Sequence, residues 1–231
     1  MKKIITILLI INSINLYATD SIIIVKQKII FELSKNCTDS ISWEEIIIKN
    51  KNKQTTINNS ISSTIESLKL TEPYFEEKCN GTIVYKVSSR IEYHDNNLLS
   101  VIFKGHKIWP NKGWSFNIKT LNYNIKTGNL ISFHNLFKPE KKPIVDSLII
   151  CLMKDWQIEF GIDFQNTDML EWKVQLINPA FIITSDGITI YLTTIHSGYS
   201  TDEDPEFMLS YDEYKEYLND KYFLKKILGE K

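Results

Sequence analysis

Arginine is nearly missing from this chain: Arg90 is the only one, although lysine is abundant. Together with the many asparagines and isoleucines, this reads as the codon bias of an AT-rich genome. No basic stripe of the kind that tracks nucleic acid can be assembled. Cysteine is also sparse, with Cys37, Cys79 and Cys151 at spacings that match no zinc site. There is no G-x-S-x-G elbow and no phosphate-binding glycine loop, so neither a hydrolase nucleophile nor a nucleotide cradle is marked. His94, His106, His134 and His196 are scattered, with no two on one helical face as paired metal ligands require. Asp202 and Asp204 lie in an acidic run without the glycine and terminal glutamate of a calcium loop. A pair of carboxylates working as a glycosidase acid and base has no motif here to announce it. The expectation is a protein without catalytic residues, cofactor or metal.

Long apolar runs are confined to the start. Lys2 and Lys3 precede the mostly apolar Ile4–Ile11, and Leu16-Tyr17-Ala18 places a small residue before Thr19. This is the layout of a secretory signal peptide over residues 1–18, too short for a membrane span. The mature chain, 19–231, is then expected in the periplasm or outside the cell, with no integral membrane segment. Without Lys2 and Lys3, 25 basic residues face 28 acidic ones, a net charge of −3. An oxidising compartment favours one bridge among three cysteines. Cys37 and Cys79, both in polar, turn-like surroundings, are the expected pair. Cys151, within Leu148–Leu152, reads as a small buried hydrophobe.

Hydrophobic periodicity gives the elements. Ser21–Leu33 and Ile41–Ile48 read as strands, and Ile57, Ile61, Ile65 and Leu68 fall at helical spacing within Asn52–Leu68. Ile83–Tyr93 and Leu98–Phe103 flank a polar turn as a hairpin. Gly105–Gly113 is expected to interrupt the sheet, which Trp114–Ile125 and Leu130–Phe133 then continue around Lys126-Thr127-Gly128-Asn129. Ile144, Leu148, Cys151, Leu152 and Trp156 predict the apolar face of a helix over Pro143–Phe160. A hairpin turns at Ser185-Asp186-Gly187, and a last helix starts at Ser210 with Glu213 three residues on, the spacing of a capping box. No repeat or flexible linker divides the chain. The reading is one α+β domain, an antiparallel sheet with helices packed on one face.

The series resembles a known family. Gly105-His106 is followed by Asn122-Tyr123-Asn124-Ile125-Lys126-Thr127-Gly128 and then Asn135-Leu136-Phe137. Phe181–Tyr191 and Leu209-Ser210-Tyr211-Asp212-Glu213-Tyr214 complete the order. It is similar to the extracellular domain shared by a lysozyme-sensing anti-sigma factor and a peptidoglycan deacetylase of Gram-positive bacteria. The likeness covers most of 83–217 and is carried in 19–81 only by the strand–helix pattern. It implies a recognition module, since the deacetylase chemistry belongs to a separate domain that has no counterpart in this sequence.

The loop His196–Glu206 then becomes the leading contact candidate. Asp202, Glu203 and Asp204 concentrate negative charge, and Tyr199 and Pro205 add rigid apolar surface. Such a loop suits a cationic protein partner, although a solvated acidic loop has the same composition. In the family, the loop at this place inserts a Pro-Tyr element into the lysozyme cleft; here Gly198-Tyr199 stands instead. His106 and Trp109 form a second candidate surface, while Trp114 reads as core. Three partners fit. One is a lysozyme-like cell-wall hydrolase captured or inhibited by the loop, and another is a toxin neutralised in the periplasm by an immunity protein. The third is peptidoglycan or another glycan stacked on Trp109, Trp114 and Tyr199.

Overall fold

The computed structural model describes residues 22–34, 37–68, 83–95, 97–109, 113–159, 179–191, 194–195 and 206–219. Residues 1–18, where a signal peptide is expected, together with Cys79 and residues 196–205, lie outside them. In chain order the elements are β1 (Ile23–Ser34), β2 (Cys37–Ile47), α1 (Lys51–Leu68), β3 (Ile83–His94), β4 (Leu98–Trp109) and β5 (Gly113–Asn124). Next come β6 (Asn129–Leu130), α2 (Lys142–Glu159), β7 (Ala180–Ile183), β8 (Gly187–Tyr191), β9 (Thr194–Ile195) and β10 (Glu206–Ser210). The short helix α3 (Tyr211–Tyr214) closes the described series.

The class is α+β, and two sheets form its frame. β1 to β6 lie side by side in sequence order, with β9 also pairing with β5; β10, β8 and β7 form a second, three-stranded sheet. Neighbours in the large sheet run antiparallel except β2 and β3, which are parallel. Parallel partners need a long crossover, and α1 lies on that crossover. Its apolar stripe, Ile57, Ile61, Ile65 and Leu68, is buried as the periodicity predicts. It packs on Ile41, Ile46, Val87, Leu99, Val101, Phe103 and Tyr123 from one face of the large sheet.

The other face of β4 and β5 carries the small sheet. Ala180, Ile182 and Tyr191 meet Ile102 and Ile118 between the sheets. The alternate residues Phe181, Ile183, Ile188 and Ile190 face outward, into a core shared with Phe133, Phe137, Val145 and Ile149. Every residue of β7 and β8 is therefore buried. The layers run helix, large sheet, small sheet, helix.

Three local expectations change. β4 continues through Gly105 to Trp109, with Gly105 paired to Val87 and Asn117, so the glycine segment does not break the sheet. After β6 the chain enters a 3-10 turn at Phe133–Leu136, which drops Phe133 and Phe137 into the core at an edge-to-face ring separation of 5.0 Å. The buried face of α2 is set by Val145 and Ile149, while Ile144 is 48% exposed and Cys151 is exposed. α2 is apolar over more than one face, and the small sheet takes a stripe that keeps the predicted Leu148 and Leu152, partly buried, adds Val145 and Ile149, and leaves out Ile144 and Cys151.

Candidate functional site

Two strands bracket the acidic loop. Upstream, Thr194 and Ile195 pair with Asn117 and Phe116 on the edge of β5 in the large sheet. Downstream, Glu206 to Ser210 pair with Tyr191 to Gly187 on β8 in the small sheet. His196, Tyr199, Asp202, Glu203, Asp204 and Pro205 themselves fall outside the described residues. Their two anchors belong to different sheets. Loops held on rigid strands are where binding residues concentrate.

The downstream anchor is built with little tolerance. Ser210 caps α3 by accepting from the Glu213 amide at 3.3 Å, one half of the expected capping box. The Tyr211 amide donates to the Asp186 carbonyl at 3.1 Å, and its hydroxyl donates to the Thr184 carbonyl at 3.0 Å. A Cβ on Gly187 would sit 2.4 Å from the Leu209 carbonyl oxygen. The Asp-Gly turn is thus read twice, as a turn and as the seat of β10. The helical run that starts at Tyr211 ends at Tyr217, and Leu218 bridges back to Phe137.

A buried polar brace joins the two sheets further along β5. Asn122, 2% exposed, donates from Nδ2 to the Phe181 carbonyl at 2.7 Å. Its Oδ1 lies 3.2 Å from the Ile183 amide. Ser100 Oγ lies 2.7 Å from Asn122 Oδ1 and 2.8 Å from the Ile183 carbonyl, so its one proton can serve either. The Phe181 amide donates to Thr120 Oγ1 at 2.8 Å. Here the edge strand β7 is hydrogen-bonded to side chains of the neighbouring layer.

His106 belongs to a different surface. It lies directly opposite Lys86 on β3, and Lys104 precedes it by two positions on β4, so all three share the face that carries the small sheet. Burial and the charges of Lys104 and Lys86 hold the His106 proton affinity below its ordinary value. Further along the same face, Ser88 faces Lys104 and Arg90 faces Ile102. Trp109 ends β4 opposite Gly113; its side chain, and that of Trp114, are outside the described set. The structure therefore sets His106 among lysines. Alternation in the predicted strand, Lys86-x-Ser88-x-Arg90-x-Glu92, already carried that signal.

Cys37 opens β2, with Ser34 and Ile83 as its ladder partners. Cys79 is not among the described residues, and neither is a bridge between the two. The expected burial of Cys151 is overturned by its position on the open side of α2. Among the described residues, no group of three His, Cys, Asp or Glu side chains is placed to hold a metal. No described helix is long and apolar enough to cross a membrane.

No protein-family model matches this chain, and no curated protein matches it in sequence. Its fold is nevertheless that of solved proteins. The crystal structure of a DUF3298 family member from Bacteroides fragilis aligns with a TM-score of 0.61 at 13% identity, over 87% of this chain and 95% of that one. A DUF3298 family protein from Pseudomonas aeruginosa aligns with a TM-score of 0.60 at 8% identity, over 90% of this chain and 99% of that one. Identities this low define the architecture alone.

Proposed function

We propose that this chain is an exported, non-catalytic recognition domain that captures or inhibits a lysozyme-like cell-wall hydrolase through the His196–Glu206 loop. The observation that carries the reading is the anchoring of that loop. β9 ties its start to the large sheet and β10 ties its end to the small sheet. Asp202, Glu203 and Asp204 lie between the two anchors. A cationic enzyme meeting this charge is steered toward the loop, and Tyr199 and Pro205 supply apolar area with few rotamers to freeze.

The sequence likeness to the lysozyme-sensing domain supports the reading, and the DUF3298 structures support its fold, since domains of that kind contain DUF3298. The basic partner follows from the loop's charge, and the cell-envelope setting follows from the signal peptide over residues 1–18. The test is lysis of bacterial cell walls by lysozyme with and without the purified mature chain. Dose-dependent protection is expected. Unchanged lysis at micromolar chain would remove lysozyme as the partner and turn the search to a delivered toxin.

A further inference from the structure

Glu206 ends the acidic loop and begins β10, so its carboxylate can serve either the partner or the fold. The strand register decides where it points. Glu206 lies directly opposite Tyr191 on β8, and residues opposite each other across an antiparallel pair share a face. Tyr191 is 6% exposed and packs between the sheets against Ile102 and Ile118. Glu206 therefore stands on the face of the small sheet that is turned toward the large one. On the large sheet, Lys104 lies two positions beyond Ile102 on β4 and shares its face, and Arg90 is directly opposite Ile102 on β3. We propose that Glu206 is a positioning residue of the acidic loop and not a partner contact, its carboxylate holding the start of β10 to the Tyr191 hydroxyl on the side that faces Lys104. This role rests on the loop being the binding element, and it leaves Asp202, Glu203 and Asp204 as the acids that meet the partner.

The contact runs from a neutral phenol to a carboxylate. Burial, and then the Glu206 charge, raise the proton affinity of Tyr191, so its hydroxyl stays a donor, and Glu206 accepts from it. A bond of this kind is charge-assisted and stronger than one between neutral groups. Lys104 adds less. Burial and the Arg90 charge lower its proton affinity, and Glu92 and then Glu206 oppose that. Glu206 is exposed, so water screens its attraction to Lys104. The Tyr191 bond accordingly carries most of the hold.

The bond also sits where it has most effect. Among the described strands β10 pairs with β8 alone, and Glu206 is its first residue. Local opening begins at such strand ends. Fraying here would lengthen the loop, and every added loose residue must be ordered again on the partner.

Hydrogen exchange and lysozyme binding of the mature chain test the proposal together, in Tyr191→Phe and Glu206→Ala. Tyr191→Phe removes only the hydroxyl, keeps the ring in the core and changes no charge of the loop. Protected amides of β10 are expected to exchange about tenfold faster in each variant, the scale of one charge-assisted hydrogen bond, with those of β7 unchanged. The two substitutions combined should do no more than either alone. Lysozyme should leave both variants at least about threefold faster, with its association rate within about twofold of the unsubstituted chain. Glu140→Ala, at an exposed acid before α2, should match the unsubstituted chain throughout. Unchanged β10 exchange in both variants would overturn the proposal. So would slower, less salt-dependent association in Glu206→Ala with Tyr191→Phe neutral, the mark of a partner contact. A chain that binds no lysozyme at all would end the hydrolase reading, while β10 exchange would still decide whether Glu206 pins the strand.

Discussion

Asn122 and Phe181 join the two sheets: the Asn122 amide donates across the interface to the Phe181 carbonyl at 2.7 Å. The same side chain lies within reach of the Ile183 amide and Ser100. One side chain thus satisfies backbone groups of β7 that the ladder with β8 leaves over, in a region closed to water. Removing it leaves several buried groups unpaired, each at a cost of about 1–3 kcal/mol. Asn122→Leu should lower unfolding stability by about 3 kcal/mol or more in urea titrations. Ser100→Ala should cost less, because Asn122 Oδ1 still faces the Ile183 amide.

Gly187 and Gly128 differ in what a methyl group would meet. Gly128 has φ of +79° in the β5–β6 turn, and its Cβ would lie 3.3 Å from the flexible Lys53 chain. Gly128→Ala should cost about 1–2 kcal/mol, the left-handed penalty. At Gly187 the obstacle is the backbone carbonyl of Leu209, which can yield only if β10 moves. Gly187→Ala should therefore be the more destabilising of the two by thermal or urea unfolding. It should also weaken any binding that depends on the loop ending at β10.

Tyr191 and Tyr211 are pushed well above their ordinary titration range, chiefly by burial, with nearby acids adding to the effect on Tyr191. The neutral phenol is favoured in the folded state, so this contribution is complete below pH about 10, the unfolded value. It declines as pH rises beyond it. Ultraviolet titration should show exposed tyrosines ionising first and these two ionising only as the chain unfolds. A smooth titration of all the tyrosines near pH 10 in a folded chain would contradict their burial.

His106 behaves in the opposite sense. Its proton affinity is depressed by burial and by Lys104 and Lys86. The neutral ring is favoured on folding, so its contribution is complete above pH about 6.5. That contribution falls as pH drops through the folded value. Histidine NMR should find His106 titrating below the ordinary range, and Lys86→Gln should move it upward.

Much of the scaffold was legible where one periodicity dominated. The Ile57, Ile61, Ile65 and Leu68 stripe is buried as spaced, and the Lys126–Asn129 turn closes β5 onto β6 with Gly128 at positive φ. Where two surfaces compete, the pattern was ambiguous. The choice between Ile144 and Val145 on α2 is made by the small sheet, which is distant in sequence. The continuation of β4 through Gly105 is decided by its partners on both sides, since glycine discourages a strand that neighbours nevertheless hold. The Asn122 brace was invisible for a related reason. An asparagine in an alternating strand reads as solvent-facing until a second sheet is laid over it.

The central claim, recognition of a basic hydrolase through the acidic loop, is tested most directly by binding of the mature chain to immobilised lysozyme at low and physiological salt. The chain with Asp202, Glu203 and Asp204 changed to alanine is run beside it. Binding that weakens with salt, as screened charge pairs must, and that disappears in the triple variant is the predicted result. No binding at micromolar chain, or binding that the triple variant retains in full, would contradict the account.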